Sequence, residues 1–145
     1  MKALTTLLVV GMFLAPVALA DDLVGAWEIT ESIVADGTPI ENVGGMIVFT
    51  ASGHYSWIRM GGTRPSYPSQ AEATDAQKIA AFETLGANAG TYTVSGSTLT
   101  RDPAAAKNPY VYAPGNTTVR TFQIDGRTLT LTNQNGAVEK LRRIE

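Results

Sequence analysis

Short glycine-centred turns alternate with long connections along this chain, and that alternation leaves few folds open to it. Eight β-like stretches can be read from two-residue alternation, β-branched content and turn signals: residues 24–34, 46–50, 54–60, 91–94, 98–101, 117–124, 128–132 and 137–144. Ala51-Ser52-Gly53 separates the second from the third, Ser95-Gly96-Ser97 the fourth from the fifth, and Asp125-Gly126 the sixth from the seventh. Glycine supplies the positive φ that such hairpins need. The connections at 35–45, 61–90 and 102–116 are long, and only 133–136 is short in that set. In an up-and-down antiparallel sheet, successive connections lie at opposite ends. The tight turns therefore gather at one end and the long loops at the other, which is the shape of a cup. Closing eight strands on themselves leaves no edge to protect and encloses room for side chains or one small ligand.

One segment reads as helix. Thr74-Asp75-Ala76-Gln77 has the pattern of a capping box, and Ile79, Phe82 and Leu85 follow at three-residue spacing. It falls in a mouth-end connection and is expected to cap the opening or pack beside it.

The N-terminus carries Lys2, an almost unbroken apolar run over 7–19, and Ala18-Leu19-Ala20 before Asp21-Asp22. This is the layout of a secretory signal peptide, and the run is too short for a membrane span. The expected organisation is a signal peptide over 1–20 and one domain over 21–145, periplasmic or secreted, with no membrane insertion after cleavage. No cysteine is present, which excludes a disulfide framework, a lipidated cysteine and a thiol nucleophile. A formal charge of −2 without a basic patch gives no support for nucleic-acid binding. One histidine and no cysteine make a poor transition-metal or haem site, and no phosphate-loop or nucleophile-elbow pattern occurs. No metal and no cofactor are expected.

Several ordered segments carry a resemblance. They are Gly25-Ala26-Trp27, the run from Ile47 to His54, Ala89-Gly90-Thr91-Tyr92-Thr93-Val94, and Val119-Arg120-Thr121-Phe122 leading into Asp125-Gly126-Arg127-Thr128-Leu129-Thr130-Leu131. In order and spacing they resemble the lipocalin-like domain family of small bacterial and fungal proteins. The resemblance implies an all-β, eight-stranded up-and-down antiparallel lipocalin-like barrel with an internal pocket. Some similar barrels serve as isomerases or cyclases, so the resemblance speaks to fold more than to function.

Alternation then nominates inward residues. Trp27, Ile29, Glu31 and Ile33 share one face of the first strand, with Trp27 as the floor and Glu31 nearer the mouth. Thr118, Arg120, Phe122 and Ile124 share a face of the sixth, and Tyr55, Trp57 and Arg59 are the more apolar face of the third. Tyr92, Val94, Leu129 and Leu131 face in by the same argument. Glu31 and Arg120 entering one pocket would pair, because an isolated buried charge is very costly. That pair either fixes the barrel wall or anchors a carboxylate or carbonyl of a ligand. His54 follows a tight turn on the less apolar face, so it reads as an exposed turn residue. Tyr67, Tyr110 and Tyr112 lie in long loops between prolines and either line the mouth or cover the rim.

The expected function is binding of a small, mainly hydrophobic molecule, with Trp57, Tyr92 and Phe122 as apolar wall and Glu31, Arg59 and Arg120 as polar anchors. The alternative is an isomerase, cyclase or hydratase in which Glu31 is the acid or base and Arg120 stabilises an oxyanion. A third possibility is an interaction protein that uses its long loops over a filled interior.

Overall fold

The computed structural model describes residues 20–112 and 115–145. The expected signal segment lies, but for Ala20, outside the described residues. Eight strands follow one another around a closed barrel: β1 (Gly25–Ile33), β2 (Gly44–Phe49), β3 (His54–Met60), β4 (Leu85–Ser95), β5 (Thr98–Ala106), β6 (Thr118–Asp125), β7 (Thr128–Asn133) and β8 (Val138–Arg143). Every neighbouring pair is antiparallel, and β8 closes on β1. The tight turns β2–β3, β4–β5 and β6–β7 lie at one end, as the alternation of connections requires. Gly96 and Gly126, at φ 56° and 55°, adopt the left-handed conformation that those hairpins impose.

β4 and β5 are longer than expected. They extend mouthward through Leu85–Gly90 and Asp102–Ala106, small residues of weak strand propensity that pair because the barrel holds them side by side. Among the described residues, two short α-helices flank the barrel. α1 (Ala20–Leu23) lies across the floor, where Leu23 is buried and its carbonyl accepts the Trp27 indole N–H at 2.8 Å. The Arg143 guanidinium lies 4.1 Å over the Trp27 ring. Trp27 is thus the sealed floor, and its polar edge is satisfied.

α2 (Asp75–Glu83) starts with the expected capping box between Thr74 and Gln77. Lys107 Nζ bonds the carbonyls of Phe82 and Leu85, placing a cation against the carbonyl end of α2. The helix packs against β4 beside the opening and leaves Ile79 and Phe82 exposed.

The interior is divided by height. Trp27, Ile29, Ile47, Phe49, Tyr92, Leu99, Leu129, Leu131 and Leu141 form an apolar cluster toward the tight-turn end. Each contributes roughly 1.5–3 kcal/mol by leaving water. Above them the inward side chains change character: Ser32, Arg101, Arg120 and Glu139 are buried, and Arg59 is half-buried. A core that ends in charge is unusual, and it marks the part of the molecule where chemistry is concentrated.

Candidate functional site

Glu31 is not part of that interior. Its carboxylate bonds Lys140 Nζ at 2.7 Å on the outer surface. The cause is a bulge: Ile29 pairs with Leu141 and Glu31 with Lys140, so Thr30 is an extra residue in β1. One inserted residue reverses the facing of all that follow. Ser32 enters the barrel in its place and Glu31 turns out. The expected Glu31–Arg120 pair therefore does not exist, and the acid–base reading built on it falls.

The inward carboxylate is Glu139 on β8, directly opposite Ser32. Arg120 Nη1 bonds Glu139 Oε2 at 2.6 Å, a buried charge-assisted bond. Arg59 Nη1 donates to Ser32 Oγ at 3.0 Å and lies 3.6 Å from Glu139 Oε1, an ion-pair distance beyond hydrogen-bond reach. These residues, with Asn133, line a cleft of about 50 Å³, room for little more than a water or two. A larger open groove of about 390 Å³ runs along β3, β4 and β5 past Ile58, Ala87 and Ala105, and Trp57 and Asn88 also line it.

Arg101 is the more exceptional group. It is only 2% exposed and sits on β5, two residues beyond the buried Leu99 on the same face. Its Nε donates to Thr118 Oγ1 at 3.3 Å, and its guanidinium carbon lies 5.1 Å from the Tyr55 ring and 5.9 Å from the Trp57 ring. None of the described ion pairs includes it. Burial, and then the positive charge of Arg120, lower its pKa to about 10, against weaker opposing effects of Tyr55 and Glu139. Burial likewise raises the Tyr55 hydroxyl above its ordinary value, with Arg101 working against it.

Trp57 stands beside both arginines, with the Arg59 guanidinium carbon 5.5 Å from its ring. Its indole lies against the backbone of β4 at Gly86, where a Cβ would come within 2.6 Å of the ring. Phe122 is buried in the core cluster. Tyr92 lies lower, its ring edge-on to Phe49 at 5.0 Å and its hydroxyl donating to the Thr50 carbonyl at 2.9 Å. Its polar atom is committed to the β2–β3 turn, so it belongs to the floor. His54 is exposed, with Nδ1 3.2 Å from Ser52 Oγ in that turn.

Among the described residues, six buried side-chain atoms have no hydrogen-bond partner: Tyr55 Oη, Trp57 Nε1, Asn88 Oδ1, Arg101 Nη1, Arg120 Nε and Glu139 Oε1. All belong to inward-facing residues, of which Tyr55 lies lowest, opposite Phe49 beside the β2–β3 turn. Of the residues expected to meet a ligand, Trp57, Arg59, Arg120 and Phe122 are thus gathered on the inner wall. Arg101, Glu139, Tyr55, Ser32 and Asn88 join them without having been nominated as ligand contacts. For Arg101 and Leu99 the two-residue spacing was an available signal. For β8 it was ambiguous, since both faces mix apolar and charged residues. Among the described residues no group of three or more His, Cys, Asp or Glu could hold a metal ion.

Comparison with known proteins agrees with the barrel. A lipocalin-like protein from Bacteroides uniformis superposes with a TM-score of 0.55 at 18% identity, over 85% of this chain and 99% of that one. An uncharacterized protein from Bacteroides eggerthii gives 0.48 at 11% identity, over 84% of this chain and 99% of that one. No curated protein matches the sequence. The model of the lipocalin-like domain matches residues 24–142, from just before β1 to within one residue of the end of β8, and the chain belongs to that family.

Proposed function

We propose that this protein binds a small, mainly apolar organic molecule with a polar end, on the inner wall of the barrel above its apolar floor. The observation that carries the reading is the concentration of six unpartnered buried polar atoms on that wall. Buried polar groups are nearly always hydrogen-bonded, and leaving one unpaired costs roughly 1–3 kcal/mol. A stable fold keeps several together where a ligand or ordered water completes them. The neighbouring faces of Trp57, Tyr55 and Phe122 supply apolar and aromatic surface, the usual wall of a small-molecule site.

The reading includes export. The apolar run at 7–19 and the small residues at Ala18 and Ala20 support cleavage after Ala20 and binding in a periplasm or the medium. Native mass spectrometry of protein purified from that compartment tests the binding. A small organic mass that leaves on denaturation is the expected result. A bare polypeptide, together with an unchanged melting temperature across a library of small apolar compounds, would sink the proposal.

A further inference from the structure

We propose that the polar end of the ligand is a carboxylate, received between Arg101 and Arg120, so that the barrel holds an organic monoanion with its acid end inward. This rests on the binding reading above and names the chemical class that the site selects.

The charge count comes first. Arg120 and Glu139 neutralise each other through a 2.6 Å bond. Arg59, with 30% of its side chain exposed, is solvated at the rim and shares Glu139. Arg101 is left as a buried cation with no carboxylate in any described ion pair. Aromatic faces and one hydroxyl soften that charge but do not cancel it. One uncancelled positive charge calls for one negative charge.

The unpartnered atoms point the same way. Four of the six are donors: Arg101 Nη1, Arg120 Nε, Tyr55 Oη and Trp57 Nε1. An ionised carboxylate is acceptor-only and offers about four lone-pair sites. A neutral hydroxyl or amide oxygen offers these four donors fewer lone pairs.

The sheet brings the two guanidinium groups together. Arg101 is paired in register with Thr118, two residues before Arg120 on β6, and all three side chains share the inner face. Such diagonal neighbours are about 7–8 Å apart at the backbone, within reach of two long side chains. The depressed pKa of Arg101, caused in part by Arg120, agrees with that proximity. A doubly charged phosphate would exceed the single uncancelled charge. The planar carboxylate also suits a guanidinium edge.

The test is isothermal titration at pH 7 with decanoate against 1-decanol, and phenylacetate against phenylacetamide, with chloride, acetate and decyl phosphate as further arms. The acids are expected to bind about 10- to 150-fold more tightly than their neutral counterparts. Arg101→Met is expected to remove that preference. Equal binding of acids and neutral counterparts to the unmodified protein would overturn the carboxylate subsite and leave the binding proposal standing. Binding of none of them would overturn both. Chloride or acetate alone matching decanoate would mean a small-ion site, and decyl phosphate exceeding decanoate a phosphate site; either overturns the inference. If Arg101→Met does not fold, the comparison within the unmodified protein still decides.

Discussion

Replacing Arg101 with methionine should make the empty protein more stable. Burial, and then the charge of Arg120, lower the Arg101 guanidinium from its ordinary range to about 10, so its charged form is held at a cost of about 3 kcal/mol. Methionine removes that cost and retains much of the volume. It also forfeits the bond to Thr118 Oγ1 and the contacts with the Tyr55 and Trp57 rings, together worth about 1–2 kcal/mol. The remainder is a gain of about 1–2 kcal/mol, within the range seen when buried charges give way to apolar groups. For a domain of this size that is a rise in melting temperature of about 3–10 °C. The sign of the pH dependence follows from the direction of the shift. The folded pKa lies below the unfolded one, so the cost is fully present below pH 10 and fades as pH rises from there towards the ordinary guanidinium range. Thermal unfolding of both proteins by circular dichroism between pH 7 and 11 should show the advantage of the variant shrinking above about pH 9.5. A variant that melts several degrees lower at every pH would refute the reasoning, because Arg101 would then be a satisfied structural group.

Further substitutions separate the parts of the account. Glu139→Gln should cost about 3–5 kcal/mol in urea unfolding, since it leaves Arg120 buried without its carboxylate, while Glu31→Gln should stay within about 0.5 kcal/mol. The reverse ranking would mean that the β1 bulge is misassigned. Gly86→Ala should cost about 1–3 kcal/mol and alter the near-UV dichroism of Trp57, because the added Cβ meets the indole at 2.6 Å; an unchanged spectrum would contradict that packing. Tyr92→Phe should lose about 1 kcal/mol with the hydroxyl bond to Thr50 and leave ligand affinity alone, as expected of a floor residue.

Much of the container was legible because its determinants are local. Tight turns need glycine, and glycine at 53, 96 and 126 set which end of the barrel is pinched. The Thr74–Gln77 capping box is a short-range pattern that survives into the structure. The site was less legible because it depends on register. Thr30 has no signature that distinguishes a bulge from a regular strand residue, yet that one insertion exchanges Glu31 for Ser32 on the inner wall. Arg120 and Trp57 lay on runs with clear alternation, and their inward facing could be read. Glu139 lay on a strand whose two faces look alike. Arg101 and Tyr55 gain their meaning only from each other, through a ring–guanidinium contact between strands that are not adjacent. The mouthward ends of β4 and β5 are glycine- and alanine-rich, and such residues form strands only when neighbours impose it.

The most direct test of a ligand site on this inner wall is a crystal structure with 4-bromophenylacetate, located by bromine anomalous scattering. The account predicts a carboxylate within hydrogen-bond distance of Arg101 Nη1 and Arg120 Nε, with the bromine beside Trp57 on the mouth side. Bromine found in the groove over β3, β4 and β5 with no carboxylate on Arg101 or Arg120 would contradict it.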